Sequence, residues 1–251
     1  MYSDFITIFD FPKTCELNKV IYKKFFFDNA SLNVTEKKAL KEDVEKIKWL
    51  YTLKPDTINI NEYIDETREY LEIAVLLIEL NKINRTKCLS ELIHKSIPYP
   101  LMILFSFENK ISISIANKRI NQADKHKWVV EDILATEWID FKSPSGIDSK
   151  FIDDCNVKKL STVNYYSFYQ DIKVRIIAHL SSLKTGKYDT GKFVEKSDKT
   201  LEQLNNIEKL ETEQLELKNK LKKEKQMGRK VDLNTKIREL TLKIENLLNQ
   251  L

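Results

Sequence analysis

LMILFSFENKISISIA, residues 101–116, is the stretch whose reading decides the fold. Leu101 to Phe107 is an almost unbroken apolar run rich in strand-forming residues. Ile111-Ser112-Ile113-Ser114-Ile115-Ala116 alternates, so one face is apolar and the other small and polar. Glu108-Asn109-Lys110 between them reads as a tight turn. Together they spell a β-hairpin with Ile111, Ile113 and Ile115 facing a core.

Working outward, Tyr70 to Leu80 is a second near-continuous apolar run, as expected of a strand covered on both faces. Arg85 to Ser96 places Cys88, Leu92 and Ile93 at helical spacing, and Pro98 and Pro100 bracket its end. Trp128-Val129-Val130 and Glu137-Trp138-Ile139 read as further strands. The order strand, helix, strand, strand predicts a small mixed sheet with helices on one face. Upstream, Val20 to Phe27 reads as a short strand or buried segment. Thr35 looks like an N-cap, and Leu40, Val44, Ile47 and Tyr51 follow at helical spacing. The reading is one helix from Thr35 to Tyr51, stopped by Pro55. Thr57 to Ile60 reads as a short extended piece.

Downstream, Lys142 to Gly146 is a loop and Ser161 to Lys184 a helix. A polar linker with Gly186 and Gly191 follows. Residues 198–251 contain no proline and one glycine. Ile207, Leu210, Leu217 and Leu221 sit at heptad steps, with Gln214 between them. Leu233, Ile237, Leu240, Ile244, Leu247 and Leu251 repeat at steps of four and three. A break at Met227 to Lys230, with left-handed Gly228 and Asp232 as a restart cap, predicts two arms. The expected fold class is therefore α+β. A mixed-sheet body with flanking helices spans residues 1–185, a linker 186–197, and an antiparallel helical (coiled-coil) hairpin 198–251.

Composition excludes several chemistries. The chain of 251 residues is 42% hydrophobic, enough to build a core. Its four glycines, Gly146, Gly186, Gly191 and Gly228, include no pair within three residues. Phosphate-cradling loops need clustered glycines, so a P-loop, a dinucleotide fingerprint and a kinase-type loop are ruled out. Lys+Arg total 42 against 38 for Asp+Glu, so bulk charge argues for no nucleic-acid partner and only local clusters could. Cys15, Cys88 and Cys155 form no CxxC pair, which removes a zinc ribbon and reads as reduced thiols. The start MYSDFITIFDFPK lacks the pattern of a signal peptide, and the longest apolar run is too short for a bilayer. The expectation is a cytoplasmic protein with no membrane partner.

Three constellations carry candidate chemistry. Asp65, then Glu79 and Lys82 at the end of a strand, approximate the Asp and Glu-x-Lys arrangement by which PD-(D/E)xK-like nucleases hold a divalent cation. Asn81 occupies the lysine slot, and a one-residue slip points Lys82 to the other face. Magnesium would be a cofactor under that reading alone; otherwise no cofactor or metal is expected. Lys118 and Arg119, followed by basic residues beside Trp128, could bind phosphate and stack a base; the favoured reading is that they cap a strand exit, with Trp128 in the core. Lys218, Lys220, Lys222, Lys223, Lys225, Arg229 and Lys230 crowd the hairpin tip against Glu224, while Glu202, Glu208, Glu211, Glu213 and Glu216 line the first arm. That dipole reads as an electrostatic docking site or as a solvated helix face. His94, His126 and His179 form no ligand pair and read as helix-surface or loop residues.

The whole chain resembles the bacterial and archaeal family known as domain of unknown function 4391. The resemblance rests on Lys46 to Ile60 (KIKWLYTLKPDTINI), Ile97-Pro98-Tyr99-Pro100, Ile115-Ala116-Asn117-Lys118-Arg119 and Lys223 to Asn234 (KEKQMGRKVDLN). None of these motifs is a catalytic signature. The resemblance implies genes set beside helicases and methyltransferases in mobile or antiviral-defence-type loci. The expected function is a non-catalytic accessory or adaptor subunit. It would bind a heterologous protein subunit, or self-associate, through the hairpin, and could bind nucleic acid. The runner-up is the metal-dependent nuclease.

Overall fold

The computed structural model describes residues 8–124, 127–191 and 196–251. It divides into two compact units, Met1–Ile176 and Ile177–Leu251.

The first unit is built on a seven-stranded sheet. Its strands are β1 (Glu16–Ile21), β2 (Val44–Leu53), β5 (Ile73–Leu80), β6 (Leu101–Phe107), β7 (Lys110–Ile120) and β8 (Trp128–Ala135), in that spatial order. A short β9 (Ile139–Asp140) also pairs with β7, and β3 (Tyr63–Ile64) with β4 (Glu69–Tyr70) forms a separate small hairpin. All neighbours in the large sheet are antiparallel except β5 and β6, which are parallel. Parallel strands need a crossover, and an α-helix at Thr86–Ser96 supplies it. The expected β6–β7 hairpin forms, with Met102 opposite Ile115 and Phe107 opposite Lys110. Glu108 closes its two-residue turn with φ of 54°, the left-handed backbone such turns require.

The unit's helices include α1 (Lys23–Asn29), α2 (Val34–Glu42), a one-turn α3 (Pro55–Ile58) between β2 and β3, and α4 (Thr86–Ser96). Leu40, Leu89, Leu92 and Ile93 pack on Leu76, Ile78, Ile103 and Phe105 of the sheet. Ile111, Ile113 and Ile115 are buried, as expected. Ser112 and Ser114 are buried too, so both faces of the sheet are covered rather than one. Their hydroxyls are satisfied internally. The Ser112 hydroxyl donates to the Thr136 carbonyl at 2.8 Å, and Ser114 Oγ lies 2.7 Å from Ser90 Oγ on α4.

The predicted helix from Thr35 to Tyr51 is corrected. Asn33, not Thr35, caps α2 in a reciprocal box with Glu36. The helix ends at Glu42, and Val44–Leu53 is strand β2. Val20 to Phe27 is also two elements, the end of β1 and most of α1. The piece around Thr57 is helical α3, closed by Asn59 at φ of 56°.

Past α5 (Gly146–Asp154), helix α6 (Tyr165–Thr185) crosses the division between the units. Gly186, at φ of 77°, ends it. Part of the 186–197 linker, residues 192–195, lies outside the described residues. Helices α7 (Ser197–Lys223) and α8 (Met227–Leu248) pack as an antiparallel hairpin. The Gln214 side chain donates to the Thr241 hydroxyl at 2.7 Å, and Gln203 to Gln250 at 3.3 Å. The turn is Glu224–Gln226, upstream of the expected break. The Glu224 carboxylate accepts from the Lys225 and Gln226 amides at 2.8 Å each. Gly228 and Asp232 lie inside α8, neither a left-handed turn nor a restart cap. No helix among the described residues is long and apolar enough to cross a membrane.

Candidate functional site

The three carboxylate-cluster residues have separate surroundings. Asp65 sits in the β3–β4 turn, where it accepts from the Thr67 amide (2.6 Å), the Arg68 amide (2.7 Å), the Thr67 hydroxyl (2.9 Å) and the Tyr63 hydroxyl (2.8 Å). These donors, led by the Thr67 amide, hold its carboxyl down to about 2. Glu79 is buried on β5, and Lys48 of the neighbouring strand β2 reaches it at 2.7 Å. Lys82 is exposed beyond the end of β5. Glu72 pairs with Lys54 at 3.3 Å. Asp65 therefore acts as a turn-builder and Glu79 as half of a cross-strand ion pair.

Of the two readings of Lys118 and Arg119, phosphate binding or a strand-exit cap, the side-chain partners match the second. Lys118 is fully buried, and its ammonium nitrogen donates to the carbonyl of Ile97 and, at 2.6 Å, to that of Tyr99. Burial pushes its pKa down to about 7. A neutral amine has two N–H donors, the number these carbonyls use. Arg119 is engaged by Glu131 at 3.3 Å, and Arg68 holds the other oxygen of Glu131 at 2.8 Å. Of the neighbouring basic cluster, residues 125–126 lie outside the described residues. His94 and His179 are buried rather than on helix surfaces. His94 Nε2 lies 3.2 Å from Ser114 Oγ, and burial keeps this ring well below the usual histidine range. His126 is outside the described residues.

The hairpin tip differs in kind. Lys220, Lys222, Lys223, Lys225 and Arg229 are exposed around the Glu224–Gln226 turn, and Lys230 is half-buried beside them. The last turn of α7 is lysine-rich, which suits the negative end of its dipole. Between Lys218 and Lys230 the balance is seven cations to one anion, Glu224, or +6. The nearest acid–base contact at the turn is Arg229 to Glu224 at 3.9 Å. A groove of about 450 Å3 lies here, lined by Lys220, Lys223, Glu224, Arg229, Asp232 and Leu233. An array of like charges on a rigid two-helix arm can attract an acidic surface but activates no bond.

By the heptad pattern, Leu201, Leu204, Leu215, Leu242 and Leu248 lie outside the two seams, where packing within the hairpin cannot cover them and another surface must. Leu201 and Leu204 are buried and Leu248 half-buried, while Leu215 and Leu242 are exposed. Sequence reasoning missed Met227 and Val231, which are also exposed beside the basic tip. Their heptad positions outside the seam were the available signal.

A family model described as Domain of unknown function (DUF4391) matches residues 9–244, nearly the whole chain, and the chain belongs to that family. No curated protein and no solved structure matches it.

Proposed function

We propose that this chain is a non-catalytic accessory subunit of a DNA-processing, defence-type assembly in the cytoplasm. Its hairpin is the arm by which it joins an acidic partner. The observation that carries this reading is the exposed +6 cluster at the tip of a two-helix arm. Net surface charge is normally mixed in sign, and a one-sign cluster favours a partner of the other sign. The nuclease reading has no comparable support. Asp65 is committed to a turn and Glu79 to Lys48.

The test uses the full chain with Lys220, Lys222 and Lys223 all changed to Glu. Affinity capture from the native host, read by mass spectrometry, should lose its stoichiometric partner while circular dichroism and melting stay as in the unaltered chain. A nucleic-acid partner would show affinity falling linearly with the logarithm of salt. Capture that ignores the charge reversal removes the hairpin's docking role.

A further inference from the structure

We propose that the tip half of one hairpin flank seats an acidic, amphipathic helix of a protein partner. This rests on the reading of the hairpin as the docking arm and specifies what it docks. In the heptad register set by Ile207, Gln214 and Leu221, positions Leu201, Leu204, Glu211, Leu215, Lys218 and Lys222 fall on one flank of α7. The Gln214–Thr241 bond places the matching flank of α8 beside it, carrying Met227, Val231, Asn234, Arg238 and Thr241 itself.

The two halves of this flank differ. Toward the base, Leu201 and Leu204 are buried, and Lys184 in the last turn of α6 donates to both oxygens of Glu211 at 2.6 and 2.7 Å. The last turn of α6 thus reaches this flank at Glu211. Beyond it the same flank is open. Leu215 is 59% exposed, Val231 58% and Met227 77%. Two-helix pairs cover one seam each; a third helix in register with the first two buries the flank residues as well. On this flank the base-half leucines are covered and the tip-half apolar residues are not.

Chemistry selects the occupant. The open half offers Leu215, Met227 and Val231 as an apolar seat, framed by Lys218, Lys222 and Arg238. From Glu211 to Lys223 it is roughly 18 Å long, room for a helix of about 12 residues. The complementary ligand has leucine-like residues at steps of three and four and carboxylates on either side. The opposite flank carries charges of both signs, among them Lys209, Glu213, Glu216, Lys220 and Lys243, and its grooves are lined by the half-buried seam residues Leu210, Leu233 and Leu247 rather than by exposed apolar side chains.

The probe is a fluorescein-labelled helical peptide of about 14 residues, Leu at three- and four-residue steps and Glu elsewhere, titrated by anisotropy against the full chain. Saturable binding is expected. Leu215→Asp with Val231→Asp should weaken it at least about tenfold. Lys218→Glu with Lys222→Glu should weaken it at least about fivefold and flatten its salt dependence. Lys209→Glu with Lys243→Glu, on the other flank, should stay within about twofold. All three variants alter exposed residues, and circular dichroism confirms their fold.

No saturable binding at millimolar peptide overturns the proposal, as does an L215D/V231D chain that binds equally well. Equal affinity for a Leu→Ser peptide overturns it too, because the site would then read charge alone, as for duplex DNA. So does light scattering that shows a dimer lost in V231D, which would make a second copy the occupant. If L215D/V231D keeps the native partner that the tip charge reversal loses, the accessory reading stands and this inference falls.

Discussion

Stability should rise with pH across neutrality, because of Lys118. Its amine is fully buried and its pKa lies near 7, against an ordinary 10.5 in the unfolded chain. Above pH 7 the folded chain has released this proton while the unfolded chain still holds it. The unfolded state then binds more protons, so the free energy of unfolding increases with pH. From pH 7 to about 8.5 the two values give an increase of roughly 1.6 kcal/mol. The contribution is complete only above the unfolded value and is lost as pH falls through the folded one. His94 acts in the same direction at lower pH, since burial keeps it neutral while the unfolded ring takes a proton. The window must stop near pH 8.5. Burial raises Cys155, Tyr70 and Tyr169, so at higher pH the unfolded chain alone ionises and stability falls again. Urea melts at half-unit pH intervals measure the slope. Lys118→Met should abolish it, and should also cost about 1–3 kcal/mol by stripping donors from the Ile97 and Tyr99 carbonyls. A flat profile from pH 7 to 8.5, or a K118M chain with the same slope, would refute the reasoning.

Arg85→Met should destabilise the chain by about 3–5 kcal/mol, because it leaves the buried Asp43 carboxylate without the two guanidinium contacts at 2.5 Å that now hold it. Chemical denaturation reads this, and adding Asp43→Asn should recover part of the loss. Tyr169→Phe should cost about 1–3 kcal/mol: the fully buried hydroxyl donates to the Leu101 carbonyl at 2.7 Å and accepts from the Ala116 amide at 3.0 Å. Charge reversal at Lys222, Lys223 and Lys225 should leave the melting temperature nearly unchanged, since exposed pairs contribute about 0–1 kcal/mol each, while any acidic partner is lost. Asp65→Ala should lower stability by about 1 kcal/mol through its lost turn and leave any activity in the preparation unaltered; a loss of metal-dependent nuclease activity in that variant would restore the carboxylate reading.

The one large misreading, the helix from Thr35 to Tyr51, has a structural cause. Strand β2 shifts register between Val44 and Lys46 and again between Trp49 and Tyr51. Each shift breaks the two-residue period of a strand. The buried positions Val44, Ile47, Leu50, Tyr51 and Leu53 therefore fall partly at three-residue steps, which imitates a helix. The aromatic and β-branched content of Trp49 to Thr52 was the contrary signal. The displaced hairpin turn is similar. Gly228 looked like the breaker, but the Glu224 side chain builds the turn through two amide bonds that no local propensity announces.

Period and punctuation alone determined the β6–β7 hairpin, strand β5, helix α4 between them and the two heptad arms. In each, the burial requirement of a regular element writes itself at a fixed spacing. The sequence also located the basic tip, because seven cations within thirteen consecutive residues, Lys218 to Lys230, need no long-range contacts to be neighbours. The tertiary structure decided what each polar group is for. Lys118 and Arg119 are adjacent in sequence, yet one is buried against carbonyls from the segment after α4 and the other shares Glu131 with Arg68. Asp65 and Glu79 read alike as carboxylates near a strand, yet one closes a turn and the other faces Lys48. A side chain's partners come from strands and helices distant in the chain. The energy of a charge depends on those partners and on the water they exclude, neither of which a local pattern encodes.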